Sequence, residues 1–305
     1  MGEPAINELE FLAEILRKHP TDSLRKIAEE EGMDYYRLKR MYDRYYGKYI
    51  SVNAMYNIRV IGLRSYLAFL GVPSERILEV GYRMTQNPFV AYVNPAFGFK
   101  NGLSAIIYVP DDQRDDIDEM LSRYSDDYEY HEVRAYPYSG DDNFGEWTLA
   151  YEYAVLMDIL KVDARTPVTK IAERLGKTRP TVKFMINRLR EMGILISFEP
   201  TVDNNVHDRS VLGITETLDE SVLERFREYE ITVGVFPGRG YVLEWFFSSK
   251  EDLGTKILEF SSYVDRILIS YFDPTFKELN DRNSINVYSR IVKKDGSGYR
   301  SILEF

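Results

Sequence analysis

Between residues 151 and 198 the apolar positions repeat first with the period of an α-helix and then as a continuous run. Three short segments carry apolar residues three and four positions apart, which places each set on one helical face. These residues are Tyr151, Ala154, Val155 and Ile159; Val168, Ile171, Ala172 and Leu175; and Val182, Met185, Ile186 and Leu189. The apolar run at 194–198 is typical of a buried strand. The pattern therefore predicts three helices followed by a strand.

Residues that begin and end helices stand at the boundaries of these segments. Thr178 is a favoured N-cap residue, and Pro180 is tolerated in the first turn of the helix that follows. Thr166 precedes Pro167 in the same way, and Gly176 is suited to end the second helix. Three helices with a short turn between the last two, followed by strands, predict a winged helix-turn-helix.

The first part of the chain repeats this module. With a shift of 144 residues (26 to 170), identical residues fall on one another at Lys26-Ile27-Ala28-Glu29 and Lys170-Ile171-Ala172-Glu173, Gly32 and Gly176, Lys39 and Lys183, Met41 and Met185, and Arg44 and Arg188. Helices of this first copy are predicted at 9–19, 23–31 and 34–46. Self-similarity over a whole module indicates an internal duplication.

A second repeated pattern follows each module. Strand and helix patterns alternate in the order β-α-β-β-α-β over 65–136 and again over 211–272, which is the ferredoxin-like order. In the first copy the loop between the central strands is assigned to 94–102; in the second a hairpin turns at 237–240. The predicted fold class is α+β, with two winged helix-turn-helix modules each followed by a ferredoxin-like (βαββαβ) domain.

These elements divide the chain into segments. The boundaries are 1–58 for the first winged helix-turn-helix, 59–138 for the first ferredoxin-like domain, 139–148 for a linker, 149–204 for the second winged helix-turn-helix, 205–276 for the second ferredoxin-like domain, and 277–305 for a C-terminal extension. The linker is rich in Gly, Ser and Asp, as loops are. A hairpin is predicted in the extension, because two apolar runs flank the turn-forming residues 293–298.

Composition narrows the classes of function. The chain has no cysteine, and its three histidines (His19, His131 and His207) lack metal-ligand spacing, so neither a metal nor another cofactor is predicted. No apolar run reaches the roughly 20 residues of a membrane helix, and the N-terminus lacks a signal-peptide pattern. A soluble, cytoplasmic protein without a membrane partner is therefore expected.

With 49 acidic against 39 basic residues the net charge is −10, so nucleic-acid binding requires a local basic patch.

Such a patch lies on the third predicted helix of each module. Residues 177–190 contain five basic residues and no acidic one. A helix in the major groove brings cations to phosphates and hydrogen-bonding side chains to base edges. The candidate DNA-binding residues are Thr178, Arg179, Thr181, Lys183, Asn187, Arg188 and Arg190 in the second module, and Arg37, Lys39, Arg40 and Arg44 in the first. The alternative, that these cations only solvate a helix face, applies more strongly to the first module, where Asp34 and Asp43 intervene.

The order of modules resembles the leucine-responsive regulator (Lrp/AsnC) family of bacteria and archaea. The resemblance rests on Lys170-Ile171-Ala172-Glu173-Arg174-Leu175-Gly176, then 178–190 and Glu191-Met192-Gly193-Ile194-Leu195, and on the ferredoxin-like pattern that follows these residues. It implies a transcription regulator of archaeal origin that binds double-stranded DNA. Family members carry one pair of domains and dimerise, so this chain would be either an intrachain pseudo-dimer or part of a homodimer.

The resemblance also implies a small-molecule effector. Family members bind amino acids between ferredoxin-like domains, near the loops that join strands. The nearest equivalent here is the loop Gly238, Arg239 and Gly240. A hairpin turn that needs positive φ is the alternative interpretation of these residues.

Catalytic motifs are not found: the chain has no phosphate-binding loop, nucleophile elbow or zinc-protease helix, and it is predicted not to be an enzyme. Two alternatives to a regulator remain open. A protein-interaction module that has lost DNA binding fits the acidic stretch 110–146, which holds thirteen acidic and three basic residues. A siroheme decarboxylase-like tetrapyrrole enzyme is the other, because a branch that resembles this family has the same two-domain build. His131, on a predicted strand, is the histidine that such chemistry would use.

Overall fold

The chain forms two compact units, each assembled from several stretches of sequence. The computed structural model describes residues 6–138, 140, 143–202, 208–247 and 253–305. Unit 1 comprises Met1–Ile61, Trp147–Asn204 and Val292–Gly298, and unit 2 comprises Gly62–Glu146, Asn205–Ile291 and Tyr299–Phe305. The regions predicted as winged helix-turn-helix modules thus share one unit, and the regions that follow them share the other.

The helices and strands of the described residues are numbered along the chain. The helices are α1 (Ile6–Lys18), α2 (Leu24–Glu30), α3 (Tyr35–Tyr45), α4 (Ile77–Gln86), α5 (Ile117–Ser122), α6 (Tyr151–Val162), α7 (Val168–Leu175), α8 (Arg179–Glu191), α9 (Ser221–Arg225), α10 (Leu253–Ser261), α11 (Pro274–Ser284) and α12 (Val287–Ile291). The strands are β1 (Ile50–Tyr56), β2 (Leu63–Gly71), β3 (Val90–Gly98), β4 (Gly102–Pro110), β5 (Tyr128–Glu132), β6 (Arg134–Ala135), β7 (Leu195–Val202), β8 (Arg209–Thr215), β9 (Glu230–Phe236), β10 (Gly240–Phe247) and β11 (Arg266–Tyr271). No helix of these residues is long and apolar enough to span a lipid bilayer.

Unit 1 contains two three-helix modules, α1–α3 and α6–α8. Each is followed by one strand, and these two strands, β1 and β7, pair antiparallel. Asn53 lies opposite Glu199 near the middle of this pairing. The Asn53 side chain also donates to the Lys161 carbonyl at the end of α6, at 2.7 Å. The two modules are therefore joined through both backbone and side-chain hydrogen bonds.

Local capping explains where the helices of the second module begin and end. Thr178 is the N-cap of α8, as predicted, and its hydroxyl accepts the backbone N–H of Thr181. Gly176 ends α7 with a left-handed backbone at φ 61°. The predicted cap at Thr166 is wrong, because the helix begins one residue later: Pro167 occupies the N-cap position and makes no side-chain cap.

Unit 2 contains a sheet whose two halves have the same strand order. The first half runs β5-β2-β4-β3 and the second runs β11-β8-β10-β9. Pairing of β3 with β11 joins the halves on one side, and pairing of β6 with β9 joins them on the other. Since only Val133 separates β5 from β6, the sheet closes on itself.

The two faces of this closed sheet carry different apolar clusters. On the inner face, Phe69, Leu212, Phe236 and Leu268 pack together with Ala96, Ile214 and Val242. Alternate residues of β8 and β10, such as Val211, Leu243 and Trp245, point outward and pack against Phe226 and Phe260.

The predicted C-terminal hairpin is wrong, because helix α12 replaces its first strand, and helix α11 precedes it. Asp273 caps α11 by accepting the backbone N–H groups of Thr275 and Phe276, and Pro274 fits the first turn. Asn280 then fastens the helix to β3: its side chain donates to the Val93 carbonyl at 2.8 Å and accepts the Val93 N–H at 3.0 Å. The turn at 293–298 does form, but a helix rather than a strand precedes it.

Part of the predicted linker is packed. Phe144 lies between two guanidinium groups, at 3.9 Å from Arg64 and 4.3 Å from Arg134. Cation–π contacts of this kind hold the aromatic ring against unit 2. Ser139, Asp141 and Asp142 of the linker lie outside the described residues, as does His207.

Candidate nucleic-acid interface

Helix α8 presents a polar face to solvent and an apolar face to its module. Val182, Met185 and Leu189 are buried and fix the helix. The opposite face exposes the predicted residues Arg179, Lys183, Asn187 and Arg188, while Thr178 and Thr181 stand at the N-terminal end with their hydroxyl oxygens 2.8 Å apart. The structure thus brings six of the seven predicted side chains of the second module onto one surface.

The cations on this surface are not neutralised by neighbouring acids. Among the described residues, Arg179, Lys183 and Arg188 form no ion pair with an acidic side chain. By contrast, Lys177, just before the helix, pairs with Glu152 at 2.8 Å. Unpaired cations on one helix face are available to phosphate groups.

A surface hollow lies beside the start of α8. It has a volume of about 410 Å³ and is lined by Pro167, Val168, Thr169, Arg179, Pro180 and Lys183. Its walls combine two unpaired cations with the N-terminal turn of α7, where the helix dipole favours anions. The hollow therefore has the charge that a DNA phosphate requires.

Two residues of this region depart from the expectation. Phe184 is 63% exposed on α8, directly after Lys183, and was not among the predicted residues. The sequence signal that the prediction missed was the position of Phe184 four residues after Pro180, on the polar face of α8. An exposed phenyl ring at this place can contact a thymine methyl group. Arg190, which was predicted, lies over the ring of Phe198 at 5.2 Å and so packs against β7.

The first module presents fewer available cations. Arg37 and Arg40 are exposed without an ion-pair partner in the described residues. Lys39, however, pairs with Asp43, which raises the pKa of the lysine, and Arg44 pairs with Glu8 at 3.1 Å. Half of the predicted residues of α3 are thus already neutralised.

Sequence differences between the two modules explain this contrast. Under the shift of 144 residues, Asp34 takes the place of Thr178 and Asp43 that of Asn187. Asp34 caps α3 by accepting the backbone N–H of Arg37, so its negative charge lies at the end of the helix that would enter the groove. The two modules therefore differ in charge although their helices correspond.

Arg165 links the two modules. Its guanidinium donates to three backbone carbonyls of the first module: His19 at 3.1 Å, Pro20 at 2.9 Å and Asp22 at 2.6 Å. It also lies over the Tyr42 ring at 5.2 Å. A single side chain thus fixes the loop between α1 and α2 against the loop between α6 and α7.

We expect Arg165→Ala to lower the free energy of unfolding by about 2 kcal/mol, because three carbonyls lose a charged donor. Urea unfolding of the full chain measures this. Arg17→Ala is the matched control: Arg17 is exposed without a partner in the described residues, so its removal should change stability by less than about 0.5 kcal/mol. Equal midpoints for the two variants would contradict the structural role of Arg165.

A potential metal-binding group, which the sequence spacing did not predict, lies in the first module. His19, Asp22 and Glu30 bring ligand atoms within 4.8 Å of one another. Hydrogen bonding to Glu31 and the nearby carboxylates raise the pKa of His19, and Lys26 pairs with both Asp22 and Glu30. His19 and Lys26 already contact these acids, so pairing within the cluster accounts for it.

The predicted effector loop lies near His131. Gly238 and Gly240 have φ of 69° and 123°, so the loop is a hairpin turn that requires glycine. The His131 ring stacks on Phe236 at 4.5 Å, and neither of its buried nitrogens has a hydrogen-bond partner. Burial lowers the pKa of His131; the nearby Glu129 carboxylate opposes this effect, and the positive charges of Arg239 and Arg266 add to it. A histidine and two arginines therefore approach one another at this end of the sheet.

Comparison with known proteins agrees with a DNA-binding module. The family model described as winged helix-turn-helix DNA-binding matches residues 155–196. An uncharacterised helix-turn-helix transcriptional regulator of Pyrococcus horikoshii is 28% identical over 148 residues, covering 46% of this chain and 87% of the regulator. The transcriptional regulator LrpA of the same organism is 30% identical over 91 residues, covering 28% of this chain and 64% of LrpA.

Solved structures match much more of the chain. The crystal structure of the siroheme decarboxylase NirDL superimposes with a TM-score of 0.60 over 90% of this chain and 98% of NirDL, at 16% identity. Its complex with an iron-uroporphyrin III analogue gives a TM-score of 0.61 over the same shares. At this identity the likeness establishes the fold.

The prediction that the chain is not an enzyme is contradicted by this finding. The same fold, over nine-tenths of the chain, belongs to an enzyme, so the lack of familiar catalytic motifs does not exclude catalysis. What the comparisons establish is a mixed α and β fold that contains a winged helix-turn-helix of the DNA-binding type. Its relatives in sequence are helix-turn-helix transcription regulators of Pyrococcus, including LrpA.

Proposed function

We propose that the protein is a sequence-specific transcription regulator that binds double-stranded DNA chiefly through its second winged helix-turn-helix. The observation that carries this proposal is the set of unpaired cations on the exposed face of α8. In this arrangement Arg179 and Lys183 contact phosphates or guanine, while Thr178, Thr181 and Asn187 hydrogen-bond to the backbone or to base edges.

The chain is proposed to be an intrachain pseudo-dimer that arose by duplication. Gly47 corresponds to Gly193 under a shift of 146 residues, and the same shift relates Asn53 to Glu199, which lie opposite each other in the β1–β7 pairing. The matching strand orders of the two half-sheets support a pair of ferredoxin-like domains. Relatives in Pyrococcus favour an archaeal lineage.

Because the two modules differ in charge, the operator is proposed to be asymmetric. Selection of bound fragments from the source genome, followed by footprinting, tests the proposal. We expect an enriched sequence with strong protection of one half-site and weak protection of the other. A palindromic footprint with equal protection would contradict unequal modules, and an empty selection would contradict sequence-specific binding.

Binding of a carboxylated tetrapyrrole is a second candidate function, favoured by the match to NirDL and by the surroundings of His131. Arg239, which is exposed without an ion-pair partner in the described residues, would bind a carboxylate, and the unpartnered nitrogens of His131 would accept or donate a proton. This end of the sheet is also where we place an effector of the regulator.

Titration with an iron-uroporphyrin analogue, followed by absorbance, tests this candidate. Saturable binding that is lost in His131→Ala and Arg239→Ala, together with release of carbon dioxide from siroheme, would support it. Unchanged spectra at ligand excess would exclude it. Arg227→Ala is a suitable control, since Arg227 is exposed on another loop of the same half.

A further inference from the structure

Polar side chains cross the inner face of the closed sheet in a continuous band. Four of them lie two positions from a residue of the inner apolar cluster on the same strand and therefore share its face: Asn94 with Ala96, Ser270 with Leu268, Ser210 with Leu212, and Glu244 with Val242. Ser104 is paired across two strands with Phe69 of this cluster. We call Asn94, Ser104, Ser270, Ser210 and Glu244 the polar belt. The Ser104 and Ser270 hydroxyls are 3.4 Å apart, and Ser210 donates to Glu244 Oε1 at 2.6 Å.

Two members of the belt are left with unmet hydrogen-bonding capacity. Asn94 is only 2% exposed, yet its Oδ1 atom has no partner. Glu244 accepts from Ser210 but ion-pairs with no cation among the described residues. Burial raises the pKa of Glu244. A buried acceptor without a donor is costly and rare in native proteins, and so is a carboxylate without a cation in a largely buried place, so these two groups require an explanation.

Several side chains of the inner face next to the belt are accessible to solvent. Tyr92, two residues before Asn94, is 37% exposed, and Ile106, two residues after Ser104, is 36% exposed. Glu244 and Phe246 on β10 also keep part of their surface accessible. These side chains leave the inner face open to solvent beside the belt, which forms one wall of the site proposed below.

The chemistry of this wall selects for a positively charged donor. Glu244 and Asn94 Oδ1 offer acceptors, and the serine hydroxyls can turn to accept as well. An ammonium group carries three N–H donors and one positive charge, which matches a carboxylate and an amide on the same face that both interact with Tyr92. An anion would meet an uncompensated carboxylate instead.

We propose that the polar belt is a binding site for a small primary amine, whose ammonium group is held between Glu244 and Asn94. The apolar residues beside the belt, including Leu212 and Leu268, would cover a short alkyl group. This site differs from the α8 surface and from the His131 region, and the inference does not depend on DNA binding.

Binding should be coupled to proton release. Three side chains that face Glu244 do not titrate in the accessible range: Ser210, Thr232 and Ser270. Tyr92 on β3 also faces it, and burial raises the pKa of that tyrosine. The charges of Lys277 and Asp281 on α11 influence the pKa of Tyr92. Arg266 lies on the same face of the sheet as Glu244 and pairs with Glu129. Burial favours the protonated form of Glu244 in the empty site, whereas a bound ammonium group stabilises the ionised form. Amine binding therefore releases a proton from Glu244, and the affinity increases with pH.

The test is isothermal titration calorimetry of the full chain with ethylammonium, butylammonium and 1,4-diaminobutane, with acetate and butyrate as anionic controls. Titration in two buffers of different ionisation enthalpy measures the proton release. We expect at least one amine to bind, neither anion to bind, and Glu244→Gln to weaken the amine about tenfold or more while abolishing the proton release. Glu129→Gln is the matched control: it also faces inward but pairs with Arg266 at 2.6 Å, so amine affinity should be unchanged.

Asn94→Ala provides a second variant that does not alter charge. It removes an unpaired buried oxygen, so the protein should fold and bind the amine more weakly. The proposal is overturned if none of the amines binds to the wild type at millimolar concentration. It is equally overturned if Glu244→Gln binds as tightly as the wild type, or if the anions bind as well as the amines.

Discussion

Replacing Arg179 and Lys183 together by alanine is expected to weaken binding of the operator duplex about a hundredfold or more. Both side chains are exposed on α8, line the hollow beside its first turn and lack acidic partners in the described residues. An arginine that reads a base contributes about 1–3 kcal/mol, and a cation on a phosphate adds an electrostatic contribution. Fluorescence anisotropy of a labelled operator duplex measures the loss.

The matched variant Arg37→Ala with Lys39→Ala should lose less than about tenfold, because Lys39 is already paired with Asp43. The salt dependence separates the two further. Removing two phosphate contacts from α8 should reduce the slope of log affinity against log salt by up to about 1.8, at about 0.9 per phosphate. Equal losses and equal slopes for both double variants would contradict the unequal roles of the modules.

Trp245→Ala is expected to have the largest effect on stability, about 3–5 kcal/mol of unfolding free energy. The side chain is fully buried on the outer face of β10. Its ring centroid lies 4.9 Å from Tyr229, 5.0 Å from Phe247, 5.2 Å from Phe226 and 5.7 Å from Phe260. Truncation to alanine would leave a large cavity between the sheet and its helices. Urea unfolding followed by far-UV circular dichroism measures the change.

Trp245→Phe distinguishes packing from hydrogen bonding at this position. The indole Nε1 is buried without a hydrogen-bond partner, so its removal costs no hydrogen bond, and a phenyl ring refills most of the space. We expect a loss of less than about 1.5 kcal/mol. A phenylalanine variant as unstable as the alanine variant would show that ring packing does not hold this half of the sheet.

Local features of the fold could be predicted from sequence because neighbouring residues determine them. The cap at Thr178 and the left-handed Gly176 that ends α7 lie within a few residues of the groups they satisfy. The charge contrast between α3 and α8 was likewise visible, since Asp34 and Asp43 lie on the same helix as the cations they offset.

Features that depend on distant contacts could not be predicted. In the C-terminal segment two apolar runs flank a turn as in a hairpin, but α12 forms in place of the first strand, and Asn280 of the preceding helix binds β3. Asn94 was assigned to a loop, whereas β3 continues through it because β4 and β11 supply partners on both sides. Closure of the sheet through β6 and β9 joins residues about a hundred positions apart, such as Arg134 and Val235.

The candidate interface was predicted in part. The positions on α8 followed from helical periodicity, but the pairing of Arg44 with Glu8 joins two different helices and leaves no local signal.

The prediction that the chain is not an enzyme rested on missing motifs, and a fold shared with an enzyme overturned it. The chemistry of the polar belt was also invisible, because Glu244 and Asn94 are 150 residues apart in the chain (94 to 244).

The most direct measurement of the central claim is fluorescence anisotropy of the duplex upstream of the protein's own gene, titrated at several salt concentrations beside a scrambled duplex. Specific recognition predicts tighter binding to the native duplex and an affinity that falls steeply as salt increases. Equal and weak binding to both duplexes, together with an empty genomic selection, would contradict the proposal that the α8 surface reads DNA.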